Sequence, residues 1–329
     1  MTINRLKLKI KKEVNYAFFR EYRYRRVARR HLSKYYSPQA PRAVNTDKLV
    51  IGMADGKYLH GGLADRLRGL VTLYSCCRQK GVKFGIRFTS PFNLTEYLQP
   101  NRYDWRVDDS VMCMNSIDAK AVYMDNIDAQ DDREPAWQKR VMERCVDMPY
   151  RQIHVYSSFS YVGDDFGRLF RELFRPSPRI ESMLEPHRQA LGDDYISVST
   201  RFMELLGDFR EPRGGQQLDQ AGRIDLIRRC IDRITALHDR YPDVRILVTS
   251  DSTGFLAACR QLDYVYTVDG EISHVDASSD TDHSKTFVDF LLIAGASHAY
   301  QLRTGPMYAG NFSLRAAQAG DRPHTLIEF

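Results

Sequence analysis

From Leu49 onward the chain keeps returning to one pattern: a short β-branched or aromatic run, a turn, then a longer stretch with apolar residues at helical spacing. Parallel neighbours in a sheet need a crossover long enough to hold a helix, so this alternation commits the chain to parallel sheets covered on both faces. The pattern is clearest in the second half. Strands are expected at Tyr195–Thr200, Arg245–Ser250, Tyr264–Val268 and Ala299–Leu302, with helices at Asp219–Asp239, Thr253–Leu262, Ser284–Ala296 and Phe312–Ala319. In the longest helix Ile224, Ile227, Ile231, Ile234 and His238 hold one face.

The first half opens with strand Leu49–Met53, helix Leu63–Arg78 and strand Phe84–Phe88, whereas 108–149 shows no legible strands. Two such halves predict an α/β chain with paired Rossmann-like domains facing a cleft. RPSPR and EPHRQALGDD break the periodicity between Pro176 and Gly192. The expected division is residues 1–45 as a basic arm, 46–185 as an N-terminal domain and 186–329 as a C-terminal domain.

Composition excludes other classes. With 43% hydrophobic and 27% charged residues, the 329-residue chain can build packed cores. No apolar run approaches a membrane span, and the six cysteines have neither CxxC pairing nor the spacing of a metal site. The expected home is a reducing cytoplasm.

The net charge of +6 is unevenly spread: residues 1–45 carry +11 and the remainder −5. Ile3, Leu6, Ile10, Val14, Ala17 and Phe18 recur at helical spacing among Lys and Arg, predicting a basic amphipathic helix that ends before Pro38. Such an arm suits an anionic membrane surface, with Phe18, Phe19, Tyr22 and Tyr24 at headgroup level. The interleaved Arg and Tyr of REYRYRRVARR also suit nucleic acid, but no recognised module follows, so nucleic acid is not an expected partner. Docking on the body or on a sister subunit stays open.

In open α/β sheets ligands bind beyond the carboxyl ends of the strands, and four segments fall there. His60, Gly61 and Gly62 precede a helix whose first turn holds Asp65 and Arg66; this is an anion or sugar cradle, or simply a helix start with Asp65 complementing the dipole and Gly69 allowing close packing. Arg201 ends a strand and could grip a pyrophosphate or pair with Asp208 or Glu204. Asp251 and Ser252 follow the next strand and could hold a ribose or base edge, or cap a helix. Gly310, Asn311, Phe312 and Ser313 open the last helix, again as cradle or cap.

HGGLADRLRGL followed by FGIRFTSPFNLTEYLQPNRYDW resembles the acceptor-side motif, roughly GGLGNRLRxL, of GT-B glycosyltransferases in the fucosyltransferase superfamily. That superfamily includes bacterial surface-polysaccharide enzymes and relatives of plant xyloglucan fucosyltransferases and protein O-fucosyltransferases. Ser199-Thr200-Arg201, Thr249-Ser250-Asp251-Ser252 and Gly310-Asn311-Phe312-Ser313 are similar to its three donor-site motifs and come in its order. The resemblance spans about residues 49–320. It implies metal-independent, inverting transfer from a nucleotide sugar, usually GDP-fucose, with no cofactor. By position, Arg201 would bind the diphosphate, Asp251 would hold guanine or ribose, and Phe312-Ser313 would cradle phosphate; His60, Gly61, Gly62, Arg66, Ser252 and Asn311 join the donor-side set.

Three positions depart from the family pattern: Asp65 stands where Asn is usual, Ser199 where His is usual, and Gly310 where Ser is usual. A carboxylate at 65 could take the acceptor's proton, so Asp65 joins Arg201 as a catalytic candidate. The reading is thus a fucosyltransferase that is cytoplasmic and peripheral on the inner face of the membrane, held there by residues 1–45 and acting on a glycan or lipid-linked glycan in surface polysaccharide synthesis. The alternative is a non-enzymatic basic-arm protein that binds nucleic acid or a partner on a degenerate nucleotide-binding scaffold.

Overall fold

A computed structural model describes residues 19–44, 47–58, 61–125, 134–208, 217–270, 282–308 and 310–329. Helix α1 (19–27) leads into strand β1 (Leu49–Ala54), α2 (Leu63–Lys80) and β2 (Lys83–Phe88). Short β3 (Leu98–Pro100) is followed by β4 (Ala119–Met124), α3 (Glu134–Val146) and β5 (Gln152–Ser157). After α4 (Asp165–Leu173), β6 (Phe174–Pro176) and α5 (Pro178–Leu191), five strands alternate with four helices. These are β7 (Tyr195–Ser199), α6 (Gln220–Arg240), β8 (Arg245–Thr249), α7 (Thr253–Cys259), β9 (Val265–Tyr266), α8 (Ser284–Gly295), β10 (His298–Arg303), α9 (Phe312–Ala319) and β11 (His324–Glu328).

Two units result: one from the described residues up to Phe92 with Arg102–Asp165, the other from Asn93–Asn101 with Phe166–Phe329. The second unit therefore begins earlier than the expected 185/186 boundary and takes in β3. The RPSPR stretch is a helix start rather than a linker. Ser177 caps α5 by accepting from the Ile180 N–H, and Pro178 sits in the first turn, where its missing N–H costs nothing.

The first unit holds a parallel sheet in the order β2-β1-β5-β4. Helix α2 lies against it because of two glycines. A Cβ on Gly52 would meet Leu70 at 2.4 Å, and one on Gly69 would meet the Ser157 carbonyl oxygen at 1.8 Å. Gly69 is thus a packing glycine. Gly81, at φ 64°, closes α2 with N–H bonds to the Arg78 and Cys77 carbonyls.

The other face of this sheet is covered by the N-terminal segment. The Tyr36 hydroxyl meets His154 Nδ1 of β5 at 2.6 Å, Arg42 makes a two-pronged pair with Asp118 at 2.5 and 2.7 Å, and Ser37 bridges Asn115. Further back, Tyr24 is 4% and Leu32 0% exposed; Tyr24 packs on Tyr123, Trp137 and Phe159, and its hydroxyl donates to the Asp125 carbonyl at 2.5 Å. The expectation of a separate arm over 1–45 is corrected for its described part: residues 19–44 dock on the first unit, burying Arg20, Tyr24, Leu32 and Ala43. Burying two large side chains and satisfying His154 outweighs the segment's like charge. The apolar stripe Ile3 to Phe18 lies outside the described residues.

In the second unit the parallel sheet runs β11-β10-β7-β8-β9. The chain enters at the centre, β7, winds outward through β8 and β9, then returns to the other side of β7 with β10 and β11. The core combines Ile196, Val198, Ile246, Val248 and Leu302 of the sheet with Leu226, Cys230, Ile234 and Leu237 of α6. Of the helix stripe read from sequence, Ile234 is buried but Ile224 is 61% exposed, so the buried face is rotated toward Leu226 and Cys230.

Candidate functional site

The winding reverses between β7 and β10, and doubly wound sheets receive ligands at the carboxyl ends of the strands beside such a reversal. Three of the four singled-out segments lie at this edge. Arg201 follows β7 by two residues and keeps 27% of its side chain exposed. The Tyr308 N–H donates to the Arg201 carbonyl at 3.1 Å, tying the β10 loop to the β7 loop. Gln301 of β10, itself buried, donates to the Gly310 carbonyl at 3.0 Å.

Asp251 faces inward. Its two carboxylate oxygens accept from the Phe202 N–H at 2.8 Å and the Met203 N–H at 2.7 Å, and Oδ2 lies 3.4 Å from Arg201 Nε. Burial pushes its carboxyl above the usual carboxylate range, while the Arg201 guanidinium and the two amides pull it down. Met203 sits at φ 55°, a left-handed conformation uncommon outside glycine, which this pair of hydrogen bonds holds in place. With both oxygens engaged, Asp251 shapes the loop that carries Arg201; a contact with guanine or ribose would have to use the lone pairs that remain.

Ser252 is 1% exposed and caps α7, accepting from the Phe255 N–H at 3.1 Å and donating to Asp208 at 2.8 Å. Asp208 Oδ2 also accepts from the Gly254 N–H at 2.9 Å, so a carboxylate already fills the positive end of α7. Ser252 therefore caps α7, and a phosphate arriving there would compete with the Asp208 carboxylate. The start of α9 differs: Asn311 is exposed at the N-cap and makes no side-chain cap bond. Ser313 is buried with its hydroxyl 3.1 Å from His324 Nε2, and Phe312 packs edge-on to Phe290. Any phosphate contact at Phe312-Ser313 thus falls to backbone N–H groups.

The fourth segment belongs to the first unit. Its His60 lies outside the described residues. Arg66 is 6% exposed; its Nε donates to the Gly61 carbonyl at 2.9 Å and its Nη1 to the Ser90 carbonyl at 2.8 Å, with the guanidinium over the Phe88 ring. Arg66 therefore braces the Gly61-Gly62 loop. Asp65 is half-exposed and pairs with buried Arg68 at 3.0 Å. A proton-accepting role for Asp65 would have to share that ion pair.

No protein-family description matches the chain, and no curated protein resembles it. Solved structures do. A FUT1 variant from Arabidopsis thaliana in complex with GDP has a TM-score of 0.54 at 10% identity, over 89% of this chain and 73% of that one. NodZ, an α-1,6-fucosyltransferase soaked with GDP-fucose, reaches 0.55 at 15% identity over 86% and 95%. NodZ from Bradyrhizobium gives 0.51 at 15% identity over 83% and 92%. The chain has the fold of the GT-B fucosyltransferases.

Within this fucosyltransferase fold, two residues escaped the sequence reading as site candidates. Asp208 reads from sequence only as a partner for Arg201, and its hold on α7 has no local signal because 44 positions separate it from Ser252. Tyr308 lies two residues before the Gly310–Ser313 segment and is not among the candidates read from sequence. It is 54% exposed beside the Arg201 carbonyl, and a ring left in water next to a fixed loop was the available clue. Among the described residues no cluster of His, Cys, Asp or Glu could hold a metal ion.

Proposed function

We propose that this chain transfers fucose from GDP-fucose to a hydroxyl of a glycan or lipid-linked glycan, with inversion at the anomeric carbon, without a metal, in surface polysaccharide synthesis. The observation that carries the reading is Arg201, fixed at the winding reversal of a five-stranded parallel sheet by Asp251. Breaking the bond between the sugar's anomeric carbon and the diphosphate leaves negative charge on the departing nucleotide. A planar, always-charged guanidinium beside an α9 start without a side-chain cap meets that charge. The acceptor oxygen bonds to the anomeric carbon from the opposite face and gives up its proton; Asp65 is the candidate acceptor for that proton. Tyr308 offers an exposed face on which a purine can stack.

Thermal-shift titration with GDP, UDP and ADP, followed by turnover of GDP-fucose in excess chelator, tests this. Selective stabilisation by GDP and turnover that survives chelation are expected. Equal response to all three nucleotides would remove the guanine assignment, and loss of turnover restored by Mg²⁺ would remove metal independence.

A further inference from the structure

Docking of the N-terminal segment sorts its residues. Arg20, Tyr24 and Leu32 turn into the first unit, Arg20 with its guanidinium 5.2 Å over the Trp137 ring. Phe19 and Tyr22, 66% and 57% exposed, turn outward with Arg25, Arg26, Arg29 and Arg30. Positions 22, 25, 26, 29 and 30 follow helical spacing, so these side chains share one face. Glu21, the only acid from 19 to 35, is held by Arg144 at 2.5 Å and reached by Arg25 at 3.8 Å. The outward face is therefore basic with an aromatic edge, on a base fixed by buried contacts.

The segment also sits at a particular edge. Its contacts include Asp125 just after β4, Phe159 just after β5 and, through His31, Tyr58 just after β1. These are the carboxyl ends of the first unit's strands. The Gly61-Gly62 loop, whose sequence resembles the acceptor-side motif, leaves β1 at the same edge.

We propose that this outward face docks on an anionic lipid bilayer, so that the acceptor edge of the first unit is presented to a lipid-linked glycan at the membrane surface. The surface itself rests on geometry alone; the acceptor class rests on the fucosyltransferase reading above. Basic residues near anionic lipid attract it electrostatically, and aromatic rings settle at headgroup level. The buried contacts of Arg20, Tyr24 and Leu32 hold the backbone under this face, which lowers the ordering cost of binding.

The test compares full-length protein with the variant R25Q/R26Q/R29Q/R30Q and with F19S/Y22S, in sedimentation with phosphatidylserine–phosphatidylcholine vesicles, with pure phosphatidylcholine vesicles and with single-stranded RNA. The wild type should bind only the anionic vesicles and leave them as salt rises. The four-arginine variant should lose roughly a thousandfold in affinity at low salt, and F19S/Y22S should lose less but bind more weakly than wild type at high salt. Thermal melting of both variants with GDP should match wild type, since these side chains lie outside the nucleotide-side loops. Unchanged vesicle binding by the four-arginine variant would overturn the proposal, as would RNA binding without vesicle binding. Loss of the GDP response in wild type would instead strike the fucosyltransferase reading and leave the vesicle result standing.

Discussion

Arg201 Nε and Asp251 Oδ2 stand 3.4 Å apart, and the same carboxylate holds the two peptide N–H groups that follow the arginine. The carboxylate thus fixes both the guanidinium and the backbone that carries it. On the proposed function, a nucleotide entering at the β7–β10 reversal would meet a cation already held by its neighbours.

Replacing Arg201 by Ala should reduce fucosyl transfer at least about a hundredfold, the scale seen when one charge-stabilising donor is removed. Arg201→Lys should recover little, because a point charge cannot reproduce the planar fork. Steady-state kinetics with GDP-fucose, beside melting curves showing an intact fold, measures this. Near-normal turnover of the Ala variant would take Arg201 out of the site.

Asp251→Asn keeps the shape but loses the charge and one acceptor oxygen. GDP affinity should fall about tenfold or more, with the loop after β7 loosened. The wild-type carboxyl is raised by burial, so as pH falls it protonates earlier than an ordinary carboxylate and releases Arg201. GDP affinity measured from pH 7 downward should therefore show an acidic decline that begins above the usual carboxylate range. Asp251→Asn should lack that decline; an identical pH profile in both proteins would refute the coupling.

A chain starting at Asn45 should unfold at much lower denaturant or fail to fold, because it lacks Tyr24, Leu32, Tyr36 and Arg42. Leu32→Ala alone should cost about 2–4 kcal/mol from the cavity it leaves. Urea denaturation of both, monitored by intrinsic fluorescence, gives the answer. A truncated chain with the full-length midpoint would show that the docked segment adds nothing.

His154 is fully buried between Tyr36 and Gln152, and burial lowers its pKa to about 3. The unfolded chain takes up this proton near pH 6.5, the folded chain only near pH 3. Between those values the unfolded state binds more protons, so stability falls as pH falls, by up to about 1.4 kcal/mol per pH unit. Urea midpoints at pH 7, 5 and 4 should decline along this slope, and His154→Gln should flatten it. Parallel slopes in both proteins would assign the acid sensitivity elsewhere.

The alternation of apolar runs from Tyr195 to Ala319 was enough to place the second unit's central strands and helices, because each element there carries its own periodicity. It was enough as well to find the loops after β7, β8 and β10. It failed over 108–149 and for β5, where Gln152, His154 and Tyr156 are polar or amphipathic yet buried. Those side chains become core only when Tyr36, Cys113 and Asp55 arrive from distant positions to bond them. The same holds for the basic segment: its charge is legible in sequence, but which face turns inward depends on Trp137, Tyr123 and Phe159. Asp251 and Ser252 show the limit at the site itself. A short acidic turn after a strand reads equally as ligand contact or as cap, and only the positions of the Phe202 and Met203 amides and of Asp208 decide between them. Local periodicity is written in consecutive residues, whereas the partner of a buried polar group is chosen by the fold.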